Sequence, residues 1–184
     1  GKTPEQTSPL YQSIKDKVQF IKGDVTNTSD WKKALHQQHV VVHLAAETGT
    51  GQSMYEIERY TTVNVTGTAI LLDYLTNEKH SIEKVVVASS RAVYGEGKYF
   101  SQKMNRCFYP TDRNEADLQQ GIFELRNPEN KEEFLVPIAT DEESKIQHKS
   151  IYGLTKYHQE QSLMICCSSL HIPCVAFRYQ NVYG

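Results

Sequence analysis

The sequence predicts an α/β domain organised as a doubly wound parallel sheet, and three observations carry that reading. Val40-Val41-Val42-His43-Leu44, Val85-Val86-Val87-Ala88 and Cys174-Val175-Ala176-Phe177 are nearly continuous apolar runs, as strands covered on both faces require. The intervals between them are long enough for crossover helices and carry helical spacing. Each run ends in small or hydroxyl-bearing residues, where ligands approach an open parallel sheet.

The elements follow in order. Val18-Gln19-Phe20-Ile21 is expected as a first strand, turning at Gly23-Asp24. Thr28 or Ser29 is expected to cap a helix carrying Trp31, Ala34 and Leu35. After the second strand, Ile57, Tyr60, Val63, Gly67, Ile70, Leu71 and Tyr74 recur at spacings of three and four. They predict one long amphipathic helix over about 55–76. Ser150 is expected to cap a further helix reaching about Leu170, stopped by Pro173 before the last strand. The stretch 98–145 breaks this rhythm, with no clear period and with Pro110, Pro128 and Pro137. It reads as a surface insertion, either a plain excursion or a cover over a substrate site.

Composition narrows the classes. The 184 residues suffice for one domain with its own core, and 20 basic residues stand against 22 acidic ones. That balance offers no basic surface for nucleic acid. No apolar run is long enough to cross a membrane, and Gly1-Lys2-Thr3-Pro4 is no signal peptide. Cys107, Cys166, Cys167 and Cys174 lack metal-ligand or disulfide-framework spacing, and the seven histidines are scattered, so no metal is expected. The cysteines read as reduced thiols of a cytoplasmic protein. His43 reads as a packing residue of the second strand.

The strand ends hold the candidate chemistry. Asp24 presents a carboxylate that would accept an adenine amino group, or else closes an ordinary Asx turn. Ala45-Ala46-Glu47-Thr48-Gly49-Thr50-Gly51 lets a phosphate or ribose approach the backbone, and a ligand-free tight loop explains the same residues. Ser89-Ser90-Arg91 places hydroxyls beyond the third strand. Tyr152 and Lys156 lie four apart on one helical face, where an ammonium stabilises a phenolate and makes tyrosine a general base. The spacing alone says little: chance predicts about 0.8 such pairs from 11 tyrosines and 14 lysines, and four exist. Tyr11/Lys15 precedes the first strand, Tyr94/Lys98 is followed by Gly95-Glu96-Gly97, and Tyr99/Lys103 opens the insertion. Context selects Tyr152/Lys156, which follows a Ser-terminated strand in a capped helix.

Assembled in order, GDVTN at 23–27, HLAA at 43–46, NVTGT at 64–68, SSRAVYG at 89–95, YGLTK at 152–156 and RYQNVYG at 178–184 resemble the extended short-chain dehydrogenase/reductases. The branch is that of the NAD-dependent nucleotide-sugar epimerases and dehydratases. The segment AAETGTGQSMYEI at 45–57, the insertion and ATDEESKI at 139–146 look most like the dTDP-L-rhamnose 4-epimerase type. The resemblance implies a Rossmann-type domain with NAD as cofactor, held by Asp24, Val25, Ala45, Ala46, Asn64, Tyr152, Lys156 and Tyr179. It implies Ser90, Tyr152 and Lys156 as the catalytic set, with Ser90, Arg91 and Asn181 at a dTDP- or UDP-sugar. It also implies a homodimer through the 55–76 and Tyr152 helices.

The branch's dehydratases carry an Asp-Glu pair just after the catalytic hydroxyl residue, where this chain has Arg91 and Ala92. Epimerisation at C4 through a 4-keto intermediate is therefore the expected reaction, ahead of dehydration, reduction or a non-catalytic NAD-binding scaffold. Two departures are plain. The family's Gly-rich pyrophosphate loop is absent, and so is the substrate domain that follows its RYxNVYG-like segment. Residues 1–184 are thus expected to be one incomplete NAD-binding domain, an internal piece of a longer enzyme.

Overall fold

The computed structural model describes residues 7–111 and 113–182. The N-terminal Gly1-Lys2-Thr3-Pro4 and the last two residues of RYQNVYG, Tyr183 and Gly184, lie outside them. The described elements run α1 (Pro9–Ile14), α2 (Thr28–Leu35), β1 (Val40–His43), α3 (Ile57–Tyr60), a π-helical stretch (Thr61–Thr66), α4 (Gly67–Asn77) and β2 (Lys84–Ser90). A 3₁₀ turn (Arg91–Tyr94) leads into β3 (Tyr99–Ser101), β4 (Arg106–Phe108), α5 (Glu115–Gln119), β5 (Arg126–Asn127), β6 (Asn130–Phe134) and β7 (Val136–Pro137). The chain closes with α6 (Ile151–Ser169) and β8 (Cys174–Tyr179).

The main sheet is parallel in the order β1-β2-β8, with Val41 level with Val85, and Val85 with Cys174. This register aligns Val41, Val85, Val87, Cys174 and Ala176 on one face. That face packs against Trp31 and Leu35 of α2, Leu71, Tyr74 and Leu75 of α4, and Leu163 and Cys167 of α6. The sheet is therefore Rossmann-like, with crossover helices joining parallel strands. Among the described residues, however, helices cover only this face. Val40, Val42, Val175, Phe177 and Tyr179 point the other way and are exposed. The continuous apolar runs predicted cover on both faces, and one helical layer is what the described residues supply.

The first expected strand does not form. Val18-Gln19-Phe20-Ile21 has no strand assignment, and Val18, Phe20 and Ile21 are exposed. An extended segment without a neighbouring ladder leaves its backbone to water, and β-propensity alone does not hold it in a sheet. The cap of α2 also differs: the Asn27 side chain accepts from the Ser29 amide at 2.9 Å, one residue before the expected Thr28 or Ser29. The helix predicted over 55–76 forms as α3 and α4, with the π-helical turn between them. Ser150 caps α6 as expected, its hydroxyl accepting from the Gly153 amide at 3.0 Å.

The insertion is less irregular than its sequence reads. β4, β3 and β7 form a small antiparallel sheet, and β5 and β6 pair as a hairpin. The buried Glu133 carboxylate joins the two, accepting from Ser101 Oγ at 2.8 Å, the Lys103 amide at 3.0 Å and Asn127 Nδ2 at 2.7 Å. Strands of two to five residues are too short to display a period, which is why none was legible.

Candidate active site

The carboxyl ends of β1, β2 and β8 surround an open cleft of about 1040 Å³, lined by Thr48, Gly49, Ser90, Arg91, Tyr152 and Asn181 among others. Ser90 and Tyr152, 62 positions apart in sequence, thus face one space. Ser90 ends β2, and its hydroxyl accepts from the Ala92 amide at 3.1 Å, capping the 3₁₀ turn. Arg91 Nε reaches Asn181 Oδ1 at 3.4 Å, so these two expected substrate residues meet on the rim. Tyr179, half-exposed at the end of β8, lines the same cleft. From the insertion side the lining comes from Gly95, Glu96, Lys149 and Ser150, so no described residue of 98–145 covers the cleft.

Close backbone approach builds the floor. A Cβ on Gly153 would lie 2.6 Å from the Ala92 carbonyl oxygen, so glycine lets α6 abut the 3₁₀ turn behind Ser90. Gly95 has φ +63, and a Cβ there would lie 2.3 Å from the Gln147 carbonyl oxygen. The small-residue loop after β1 is pinned from two directions. The buried Tyr60 hydroxyl donates to the Thr48 carbonyl, and Ser53 Oγ donates to the Thr50 carbonyl at 2.6 Å. Ser53 Oγ in turn accepts from the Tyr152 amide at 3.0 Å, and the Tyr60 ring sits edge-on to Tyr152 at 6.4 Å.

Asn64 is fully buried inside the π-helical stretch, a feature frequent at functional sites. Its Oδ1 accepts from the Glu47 amide at 2.8 Å. Its Nδ2 donates to the Glu47 carbonyl at 3.1 Å and to Thr155 Oγ1 at 3.0 Å. One side chain thereby ties the loop after β1 to α6. Ala45 and Ala46 occupy the same loop, at the end of β1.

Lys156 shares the Tyr152 face of α6 but does not line the cleft. It is 3% exposed, and its ammonium donates to Gln159 Oε1 at 2.6 Å. Burial lowers its pKa from 10.5 to about 8. Asp24 and Val25 stand apart, beside a groove of about 160 Å³ that they share with Gly23 and Trp31. Asp24 Oδ1 accepts from the Thr26 amide and hydroxyl, both at 2.8 Å, which is the Asx turn; those bonds hold its carboxyl below the usual range.

Sequence reading missed Ser53, Tyr60, Gln159 and the pair Glu160–Arg178. Gln159 had a faint signal, lying three residues after Lys156 and seven after Tyr152 on the same helical face. Arg178 binds Glu160 through both oxygens, at 2.6 and 3.1 Å, and also donates to the Tyr94 hydroxyl at 2.7 Å.

Comparison with known proteins gives the family. Residues 3–115 match the family described as "NAD dependent epimerase/dehydratase family". The chain belongs to that family. Among its relatives, dTDP-L-rhamnose 4-epimerase of Burkholderia thailandensis is 35% identical over 94% of this chain and 46% of its own length. UDP-glucose 4-epimerase of Drosophila melanogaster is 27% identical over 100% of this chain and 42% of its own. A solved UDP-glucuronic acid 4-epimerase from Bacillus cereus, in complex with UDP-glucuronic acid and NAD, superposes with a TM-score of 0.65. It is 27% identical, covering 95% of this chain and 43% of that one. The chain thus spans under half the length of these epimerase-family relatives.

Proposed function

We propose that this chain contributes the catalytic half of an NAD-dependent nucleotide-sugar 4-epimerase acting on a dTDP- or UDP-sugar. The observation that carries the reading is the convergence of Ser90 and Tyr152 on one cleft, with Lys156 one helical turn behind Tyr152. The residues present fit the cofactor in part. A carboxylate and groove at Asp24–Val25 suit an adenine, and Ala45 and Ala46 are small residues in the loop that Asn64 braces through Glu47. Tyr179 lines the cleft with Ser90 and Tyr152, where it would meet the nicotinamide.

NAD when bound supplies reversible hydride acceptance at C4 of the sugar. Ser90 Oγ hydrogen-bonds the C4 oxygen and fixes it beside Tyr152. Tyr152 takes the 4-hydroxyl proton as general base and returns it after the 4-keto sugar has presented its other face. Lys156 stabilises the phenolate through its buried positive charge. Arg91 and Asn181 meet the sugar nucleotide at the rim. Neither Arg91 nor Ala92 offers the carboxyl group that water elimination requires.

No helix among the described residues is long and apolar enough to cross a membrane. We place the protein in the cytoplasm, as its free cysteines fit a reducing compartment. We also propose a homodimer. Ile57 on α3 and Leu154 and Ile165 on α6 expose apolar side chains, as a helical dimer face would.

The test is NMR of UDP- and dTDP-hexoses incubated in D₂O with the protein and NAD⁺. Epimerisation by hydride return inverts C4 with no mass change and no deuterium at C4. Tyr152→Phe should abolish inversion while NAD⁺ still binds, as calorimetry would show. Loss of water from the sugar, or full turnover by the variant, overturns the reading.

A further inference from the structure

Lys156 is buried, and its ammonium is met by a neutral group, not a carboxylate. Gln159 Oε1 accepts from Lys156 Nζ at 2.6 Å. Because lysine only donates, this bond fixes which way the carboxamide faces. Gln159 Nε2 therefore points inward, donating to Thr68 Oγ1 at 2.8 Å and lying 3.2 Å from His43 Nε2 and 3.4 Å from the Ala45 carbonyl oxygen. Thr68 passes its own proton to the Asn64 carbonyl at 2.7 Å, which leaves its oxygen free to accept. Gln159 is itself fully buried. One carboxamide thus touches the ammonium on α6, the second residue of the loop after β1, and Thr68 of α4.

We infer that Gln159 is a positioning residue that sets both the place and the proton affinity of Lys156, and couples them to the Ala45 backbone. Its link to catalysis rests on the function proposed above. Two features exclude a purely space-filling role. An apolar side chain at 159 would leave the buried Lys156 ammonium without its acceptor, whereas the carboxamide engages both its acceptor and its donor. The partner behind it, His43, is kept neutral by burial and by the Lys156 charge, with a pKa lowered to about 4, so it adds no second cation at neutral pH.

The charged and titratable groups around Lys156 are few. His43 faces it from β1. Tyr152 precedes it on α6, and Tyr60 lies beyond Tyr152. Glu47 is engaged by Arg59 at 2.9 Å, and Glu160 is engaged by Arg178. Gln159 is the group in hydrogen-bond contact with the ammonium.

The experiment uses this chain with biosynthetically ¹³C-labelled lysine, following the Lys156 ¹³Cε resonance by NMR from pH 6 to 11. Lys156→Arg assigns the signal. Gln159→Leu removes the acceptor and leaves burial unopposed, so proton affinity should fall about tenfold or more. Gln159→Glu keeps the shape and adds a negative charge, so proton affinity should rise about tenfold or more. Opposite shifts from two variants at one position are not produced by loosened packing, which would move both toward the value in water. If Gln159→Leu does not fold, Gln159→Met, which also lacks a carbonyl acceptor, takes its place with the same fall expected. An unchanged midpoint in Gln159→Glu, or shifts of the same sign in both, overturns the inference. The readout needs no sugar and no turnover, so failure of the proposed activity would leave it standing, and the reverse holds too.

Discussion

The amide of Tyr152 donates to Ser53 Oγ at 3.0 Å, joining residues 99 positions apart. Tyr152 opens α6, where the first amides have no helical partner, and Ser150 satisfies the Gly153 amide while Ser53 satisfies this one. The helix therefore starts at a place dictated by the loop after β1. The same hydroxyl donates to the Thr50 carbonyl, so the loop and Tyr152 are held by one atom of the buried Ser53.

Ser53→Ala should consequently lower stability by about 1–2 kcal/mol, since it removes the two hydrogen bonds that the buried Ser53 hydroxyl makes to the Tyr152 amide and the Thr50 carbonyl. For a domain of this size that is about 2–4 °C of melting temperature per kcal/mol. Thermal unfolding followed by circular dichroism checks it. A melting temperature equal to wild type would show that water replaces the hydroxyl at both groups.

His43 gives a pH dependence of definite sign. Its folded pKa of about 4 lies below the ordinary 6.5, because burial and then the Lys156 charge disfavour the imidazolium. Between those values the unfolded chain binds more protons than the folded one, so stability falls as pH drops from 6.5 toward 4. The loss from this group is about 3 kcal/mol at most. Urea unfolding of wild type and His43→Asn across that window should show the difference between them shrinking as pH falls. A constant difference would mean that His43 titrates normally.

Glu160 is 3% exposed, and its stability depends on Arg178. Burial alone would push its carboxyl up. The hydrogen bonds and charge of Arg178, helped by Ser89 and Gln161, outweigh that and hold it below the usual range. Arg178→Met should cost about 3–5 kcal/mol, because it strands a buried carboxylate, whereas Arg178→Met with Glu160→Leu should recover much of the loss. Urea denaturation of the single and double variants separates the two outcomes. Equal stability of both would show that the pair is worth no more than its packing.

These particulars also mark what the sequence could reveal. Val85-Val86-Val87-Ala88 reads as a buried strand because apolar continuity survives in any one-dimensional pattern, and Ser150 reads as a cap because capping is local. Val18-Gln19-Phe20-Ile21 looks equally strand-like, yet a strand needs a neighbour, and no local pattern records one. The helix over 57–77 was legible, but its π-helical turn was not. That turn serves Asn64, whose partners Glu47 and Thr155 lie 17 and 91 positions away. Of the candidate site, ordered motifs point to Ser90 and Tyr152, which line the cleft, and to Lys156, which lies behind it. Ser53 and Gln159 were not legible, because a lone polar residue acquires meaning only from the partners that tertiary structure brings.

Gly153 yields a prediction whose sign runs against helix propensity. Alanine is favoured over glycine inside a helix by about 1 kcal/mol, so Gly153→Ala would ordinarily stabilise α6. Here the added Cβ would stand 2.6 Å from the Ala92 carbonyl oxygen, a backbone atom with no rotamer to change. Either α6 or the 3₁₀ turn must shift, and overpacking of this kind costs about 1–3 kcal/mol. The shift falls between Tyr152, the next residue on one side, and Ser90, two residues before Ala92, so it should separate the two groups that converge on the cleft. Gly51 is the control: it has φ −65, and a Cβ there would meet nothing within 4 Å. Gly51→Ala should match or exceed wild-type stability, by about 0.4–1 kcal/mol, through the stiffer unfolded chain. Urea unfolding of both variants is decisive: a Gly153→Ala protein as stable as Gly51→Ala would mean that the close approach of α6 to the Ser90 turn is not required.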